Sequence, residues 1–271
     1  MKNGEGRVTA FLLAPSALLW LAGVLAPLVL LLRMSLYARV ASSGERRFDM
    51  LFFQPGTWSF ESFVKVLTEP FYLRLLGFTA MLAVVVTAIA LFCGYVLGYA
   101  VYRATPRGKI VLIALIALPK FTNILVFVYG VKMIFGPNGF WPVVAGEVLL
   151  LAPYAALTIA AALEAVPYHL VEAARGLGAS AASAFWQITW PLGLPGVSAA
   201  AILTVLWSAS AFLSPYLLGQ PAQYTVAVEV DRQVHQDLDW ALAAALNVVL
   251  ISVLALAAYA MSVARRKSRL A

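Results

Sequence analysis

The chain has 271 residues, 63% of them hydrophobic and only 11% charged, less than half of the roughly 25% charged residues found in a soluble domain. This excludes a water-coated globule. The net charge of +7 comes from basic residues standing singly or at the ends of apolar runs, which excludes a nucleic-acid-binding face, and the single cysteine, Cys93, excludes a disulfide scaffold.

A mean hydropathy of +0.89 points to an integral membrane protein. A helix needs about 20 apolar residues to cross a bilayer core. In chain order the runs of that length are 8–32, 75–102, 110–135, 141–163, 196–218 and 240–264. They predict an all-α protein with six transmembrane helices in one domain, since none alternates like a barrel strand. The first run is longer than the core of a signal peptide and is expected to be an uncleaved anchor.

Arg103, Arg107 and Lys109, the tail residues Arg265, Arg266, Lys267 and Arg269, and Lys2 and Arg7 all fall on one side of a six-span arrangement. That side is expected to be the cytoplasm, with both termini there. Residues 33–74 carry Arg33, Arg39, Arg46 and Arg47 on the other side and fit the rule least well. This outer loop holds Gly44, Pro55, Gly56 and Pro70, with an amphipathic piece near 60–67. Gly136-Pro137-Asn138-Gly139 predicts a tight turn between spans three and four. Residues 219–239 carry Glu229, Asp231, Asp237 and Asp239, an acidic outer hairpin that either faces a soluble partner or is a solvated loop.

No Asp, Glu, Lys or Arg occurs between Arg175 and Glu229. This interval is too long for one span. Its first part predicts a helix–turn–helix over 166–194. Pro167 suits a helix start, and Gly178 suits a C-terminal break with positive φ. Ser180 can cap a second short helix with Ala181, Ala184, Phe185 and Ile188 as its stripe. Pro191 and Pro195 then direct the chain back into the membrane. Periodicity alone leaves two readings: a docking surface, or an amphipathic helix lying on the bilayer.

Glu172-Ala173-Ala174, three residues, Gly178, nine residues, then Ile188-x-x-Pro191 resembles the signature loop of permease subunits of binding-protein-dependent ABC importers. Trp190 stands where that family usually has Leu. The likeness extends along most of the chain. Residues 79–102 with Gly94 and Gly98 resemble the family's second span. Leu118-Pro119, Asn138-Gly139, Ser214-Pro-Tyr-Leu-Leu-Gly219 and Asp239-Trp-Ala-Leu-Ala-Ala-Ala are similar to the polyamine-type (spermidine/putrescine) subfamily.

The resemblance implies a type I importer permease in a bacterial inner membrane. It implies a cytoplasmic ABC ATPase dimer gripping the loop through Glu172, Ala173, Ala174, Gly178, Ile188 and Pro191. It further implies a second permease subunit, expected to be a paralogue, and an external (periplasmic) solute-binding protein. ATP and Mg would be bound by the ATPase subunits and no cofactor by this chain. Gly108-Lys109 has Arg103 in place of the first Gly of a phosphate loop and Ile110 in place of its Ser or Thr, so no ATPase is expected here. His169 and His235 fall on opposite sides, and no metal cluster is expected.

Charged groups within spans usually face protein or a water-filled path. Lys120 follows Leu118-Pro119, where Pro119 frees a backbone carbonyl and predicts a broken helix. Lys120, Asn123, Ser210, Ser214 and Tyr216 are the candidates for the solute path. Glu147 is expected to pair with Lys132 in a structural role. Gly94-x-x-x-Gly98 permits close helix contact.

Polyamine-type relatives commonly carry an acid where Ser210-Ala211-Phe212 stands, so the solute is either polyamine-like or an anionic or zwitterionic compound of organophosphonate or opine type. Rival classes are an ion-gradient-driven secondary transporter, whose inverted repeat and paired carboxylates are not seen in the sequence, and a membrane scaffold without transport.

Overall fold

Proline and side-chain caps set most helix boundaries. The computed structural model describes residues 2–39, 53–136 and 138–268. Residues 44–47 of the outer loop, Pro137 of the turn and Arg269 of the tail lie outside them. In chain order the elements are α1 (Lys2–Ser35), β1 (Tyr37–Arg39), β2 (Phe53–Trp58), α2 (Glu61–Thr68), α3 (Pro70–Arg103), α4 (Pro106–Ala117), α5 (Ile124–Phe135), α6 (Phe140–Glu164), α7 (Tyr168–Gly176), α8 (Ala181–Ala184), α9 (Trp190–Ala209), α10 (Leu213–Leu218), α11 (Val226–His235) and α12 (Trp240–Ser268). Among the described residues, five helices are long and apolar enough to cross a membrane. The bent pair Pro106–Phe121 and Ile124–Phe135 makes a sixth if counted as one span. The fold is all-α in its spans, and β1 pairs antiparallel with β2 in a short ribbon among the described residues.

Two expected spans differ from the helices observed. The third, 110–135, is broken by a 96° bend. Pro119 opens a 3-10 turn over Leu118–Phe121, and Asn123 then restarts the helix by accepting the Leu125 N–H at 2.9 Å. The fifth, expected at 196–218, ends at Ala209. Pro215 has no N–H to give to the Ala211 carbonyl four residues back. The Thr225 hydroxyl donates to that carbonyl instead, at 2.7 Å, and 213–218 is the separate helix α10.

The chain forms two compact units. The first comprises Met1–Leu73 and Glu229–Val253. Its most polar feature is α11. Glu229 is buried, at 2% exposure, and accepts two bonds from Arg232 at 2.9 and 2.7 Å and one from Gln233 at 2.7 Å. The same carboxylate holds the Arg232 pKa above its ordinary value. Asp231 lies 3.0 Å from His235 and Asp237 lies 3.6 Å from Arg232. Asp239 caps α12 through the Leu242 N–H at 3.0 Å. Each acid of the expected acidic hairpin therefore has an internal partner, while the side chains of Asp231 and Asp237 stay partly exposed.

The second unit comprises Arg74–Val228 and Leu254–Ala271. Helix α6 is its centre, with 67% of its apolar window buried. Helix α3 runs parallel to α6 and touches it through glycines. A Cβ on Gly94 would stand 2.6 Å from Ala155 Cβ, and one on Gly98 would stand 2.8 Å from the Ala156 carbonyl oxygen. Helix α9 runs antiparallel on another face, with Gly193 on Leu163 and Gly196 on Ala162. Ala155, Ile159, Leu163 and Ala200 form the core there. Leu82, Val86, Val128, Val143, Leu151 and Leu218 form the larger core toward the other end.

The turn 136–139 is fastened to the end of α10. Gly139 N–H donates to Leu218 O at 2.8 Å, Asn138 Nδ2 to Gly219 O at 3.1 Å and Lys132 Nζ to Leu217 O at 3.2 Å. Carbonyls left open at a helix C-terminus are satisfied this way.

Candidate functional site

The loop between α6 and α9 is built by three local signals. Pro167 precedes the first helical residue of α7. Gly178 ends that helix with φ +92°. Its N–H donates to Arg175 O at 3.0 Å and the Ala179 N–H donates to Ala174 O at 3.0 Å, the paired bonds of a Schellman turn. Ser180 then caps α8, accepting the Ser183 N–H at 3.1 Å.

The second helix of the loop is not short, as the sequence implied. It passes through a π-helical turn, Phe185–Thr189, and continues directly into α9. The Trp190 N–H reaches back to Phe185 O. This wider turn falls just before Pro191, which has no N–H for the Gln187 carbonyl. The loop is thus rigidly joined to a membrane-spanning helix.

Glu172, Ala173, Gly178 and Pro191 are exposed, and Ala174 and Ile188 are half-buried. Leu177, at the tip of the turn, is 92% exposed, and Leu170 and Trp186 are also exposed. Beneath them lies an aromatic cluster that the sequence reasoning missed. Tyr95 of α3 is 5.0 Å from Trp190 and 6.1 Å from Phe185, and Tyr99 is 5.3 Å from Phe185, between ring centroids. Tyr95, Tyr99 and Tyr102 recur at i, i+4 and i+7, a helical face legible in the sequence. Trp190, the departure from the family's usual Leu, is a member of this cluster.

The path candidates separate into groups. Lys120 lies with its Nζ 3.5 Å from the centre of the Tyr154 ring and donates to the Leu150 carbonyl, beside the backbone that Pro153 disrupts in α6. Tyr154 in turn packs on Trp207 at 5.3 Å. Trp207 and Ser210 line an open cleft of about 520 Å³ with Leu203 and Leu206. Ser210 Oγ donates to Leu206 O at 3.0 Å. Asn123 is committed to its helix cap. Tyr216 stacks on Phe212 at 5.4 Å.

Ser214 is fully buried and belongs with Glu147. The expected Glu147–Lys132 pair does not form, because Lys132 is bound to the Leu217 carbonyl. Glu147 is 3% exposed. Ser214 Oγ approaches its carboxyl, but neither Ser214 Oγ nor Glu147 Oε2 meets hydrogen-bond geometry with any described group. Since no ion pair is broken, Glu147→Gln is expected to keep stability in detergent within about 1 kcal/mol. A loss of about 3 kcal/mol or more, the size seen when a buried pair is broken, would reveal a partner; thermal unfolding of the purified protein measures it.

Residues 8–268 match the family of binding-protein-dependent transport system inner membrane components. The chain belongs to that family. The spermidine/putrescine transport system permease protein PotB of Haemophilus influenzae is 26% identical over 211 residues, covering 70% of this chain and 74% of that protein. PotB of Escherichia coli K12 is likewise 26% identical over 211 residues, covering 70% of this chain and 77% of that protein. Among solved structures, a bacterial ABC transporter involved in the import of the acidic polysaccharide alginate matches 98% of this chain and 99% of its own, with a TM-score of 0.74 at 16% identity. The protein is a multi-pass inner-membrane permease subunit of a binding-protein-dependent ABC importer.

Proposed function

We propose that this permease translocates a small organic solute, delivered by an external binding protein, through a pore formed with a second permease subunit and driven by a cytoplasmic ABC ATPase dimer. The observation that carries the reading is the 166–194 loop. It presents Glu172 and an exposed apolar tip, and it is continuous with α9. The ATPases grip this loop, and closure of the ATPase dimer on ATP pulls α9 toward an outward-facing pore. Hydrolysis reverses the motion. ATP can drive this only by binding the outward-facing assembly more tightly than the inward-facing one.

Glu172 anchors the loop by a charge-assisted bond to a basic group of the ATPase. Ala173 and Ala174 allow close approach, Gly178 sets the turn, and Ile188 and Pro191 seat the second arm. The basic residues Arg103, Arg107 and Lys109 support cytoplasmic placement of this end and of both termini. The apolar surface of α5 and of the 3-10 turn before it, with Met133 and Phe121 each 87% exposed, is covered by lipid and by the second permease, which we take to be a paralogue. The relatives named for spermidine and putrescine put polyamines among the candidate solutes, beside organophosphonate- or opine-like compounds.

Leu177→Asp tests the reading. The ATPase is expected to co-purify with the wild-type chain, and the variant is expected to lose about tenfold or more in co-purified ATPase, a change worth about 1.4 kcal/mol. Stimulation of ATP hydrolysis by the loaded binding protein should fall with it. Full ATPase retention by Leu177→Asp would remove the loop from the interface.

A further inference from the structure

Resting on the permease reading above, we propose that the cleft walled by Trp207, to which Lys120 connects through Tyr154, is an anion-reading station on the solute path, so that the transported solute carries a carboxylate, phosphonate or similar anionic group. Intramembrane ammonium groups are costly, and those that persist are usually paired with a carboxylate or face a polar path. Among the described residues, Lys120 has no carboxylate partner. Its two partners, the Leu150 carbonyl and the Tyr154 ring, are neutral, so they orient the charge without cancelling it. A ring face and a carbonyl engage the ammonium without supplying a counter-charge and leave a third N–H for a ligand.

The position of the charge follows from the broken span. The 96° bend brings Lys120 to the mid-length of α6, and Tyr154 stacks on Trp207, whose helix lines the cleft with Ser210. A chain of contacts thus leads from the ammonium of Lys120 through the Tyr154 ring to Trp207, which forms the wall of the cleft next to Ser210. Among the described residues of this unit, the carboxylate lying at depth is Glu147, and it is 3% exposed within the core against Ser214. It does not face the cleft and does not neutralise Lys120. A polyamine entering here would meet a like charge with no carboxylate to receive it. An organic anion would meet an oriented ammonium.

Charged thiol reagents read the sign of the potential without requiring the natural solute. In a Cys93→Ser background, Ser210→Cys places a reporter thiol on the cleft of the assembled transporter. The probes are the anionic 2-sulfonatoethyl and the cationic 2-(trimethylammonium)ethyl methanethiosulfonates, with rates normalised to a free thiol. The anionic reagent is expected to be favoured about fivefold or more, as a nearby fixed cation in a confined site requires. Lys120→Arg should keep the preference and Lys120→Met should abolish it.

Equal rates, a cation preference, an unreactive thiol or a preference indifferent to Lys120→Met would each overturn the proposal. Size-exclusion chromatography and the binding-protein-stimulated ATPase are measured on the same samples. A normal ATPase with no anion preference defeats this inference alone, whereas absence of a coupled ATPase defeats the permease reading on which it rests.

Discussion

Gly178→Asp is expected to lower uptake and binding-protein-stimulated ATP hydrolysis at least about tenfold, equivalent to about 1.4 kcal/mol of coupling, while the protein still inserts and purifies in normal yield. The two halves of this expectation have different physical origins. Gly178 holds φ at +92°, which a side chain tolerates at a cost of about 1–2 kcal/mol, least for Asn and Asp. A Cβ there meets nothing within 4 Å, and the turn at 175–178 is exposed. The fold therefore survives. The carboxylate, however, lands beside the exposed Leu177 on the face we assign to the ATPase.

Gly178→Asn separates charge from backbone strain. It shares the shape and the left-handed tolerance of Asp but carries no charge, so most of the coupling should return. Gly178→Val adds a branched Cβ and tests strain directly. If Asp and Asn are equally defective, the turn geometry, and not the charge at the interface, sets the coupling. If reconstituted vesicles with Gly178→Asp transport at the wild-type rate, the loop does not carry the coupling at all.

The loop was legible because its determinants are local. Pro167, Gly178 and Ser180 each act within a few residues, and each performs the role its chemistry predicts. The end of the fifth span was misplaced because hydropathy alone does not register a break inside an apolar run. The signal was Pro215, which removes the bond to Ala211 and halts the helix several residues earlier. Yet the partner that makes the break affordable, Thr225, lies 14 residues downstream and no periodicity announces it. The Glu147–Lys132 pair failed for a related reason. Complementary charge suggested it, but the carbonyls at the end of α10 compete for Lys132, and their position is set by tertiary packing. Lys120 was singled out by its sequence alone, whereas the Tyr154–Trp207 pair that frames it comes from two helices and emerges only on folding.

The helix contacts around α6 set the second large effect. Gly196→Val is expected to destabilise the protein by about 3 kcal/mol or more, at or above the usual cost of overpacking a core, and to reduce the folded fraction in detergent sharply. Even the Cβ of Ala at this position would fall 2.2 Å from Ala162 Cβ, and no flexible side chain is available to yield; the next neighbours are the Ile159 and Ala162 Cα atoms at 3.6 and 3.7 Å. The remedy is specific. In Gly196→Ala combined with Ala162→Gly the clashing atom is gone, and the new Cβ meets Ile159 Cα at ordinary contact distance. The double variant should recover most of the stability lost by Gly196→Ala, a coupling energy on the order of 1–3 kcal/mol in a double-mutant cycle. Gly77→Ala, where a Cβ meets nothing within 4 Å, should be neutral or stabilising by a few tenths of a kcal/mol because alanine suits a helix better than glycine. Thermal unfolding of the purified variants measures all four. The consequence for transport follows from the same contact. Because α9 continues from the loop without a flexible joint and lies against α6 with no free volume between their backbones, displacement of the loop must carry α6, with Tyr154 and the Lys120 ammonium on its ring, as one body. A double variant that restores stability but leaves transport uncoupled would show that α6 and α9 move separately.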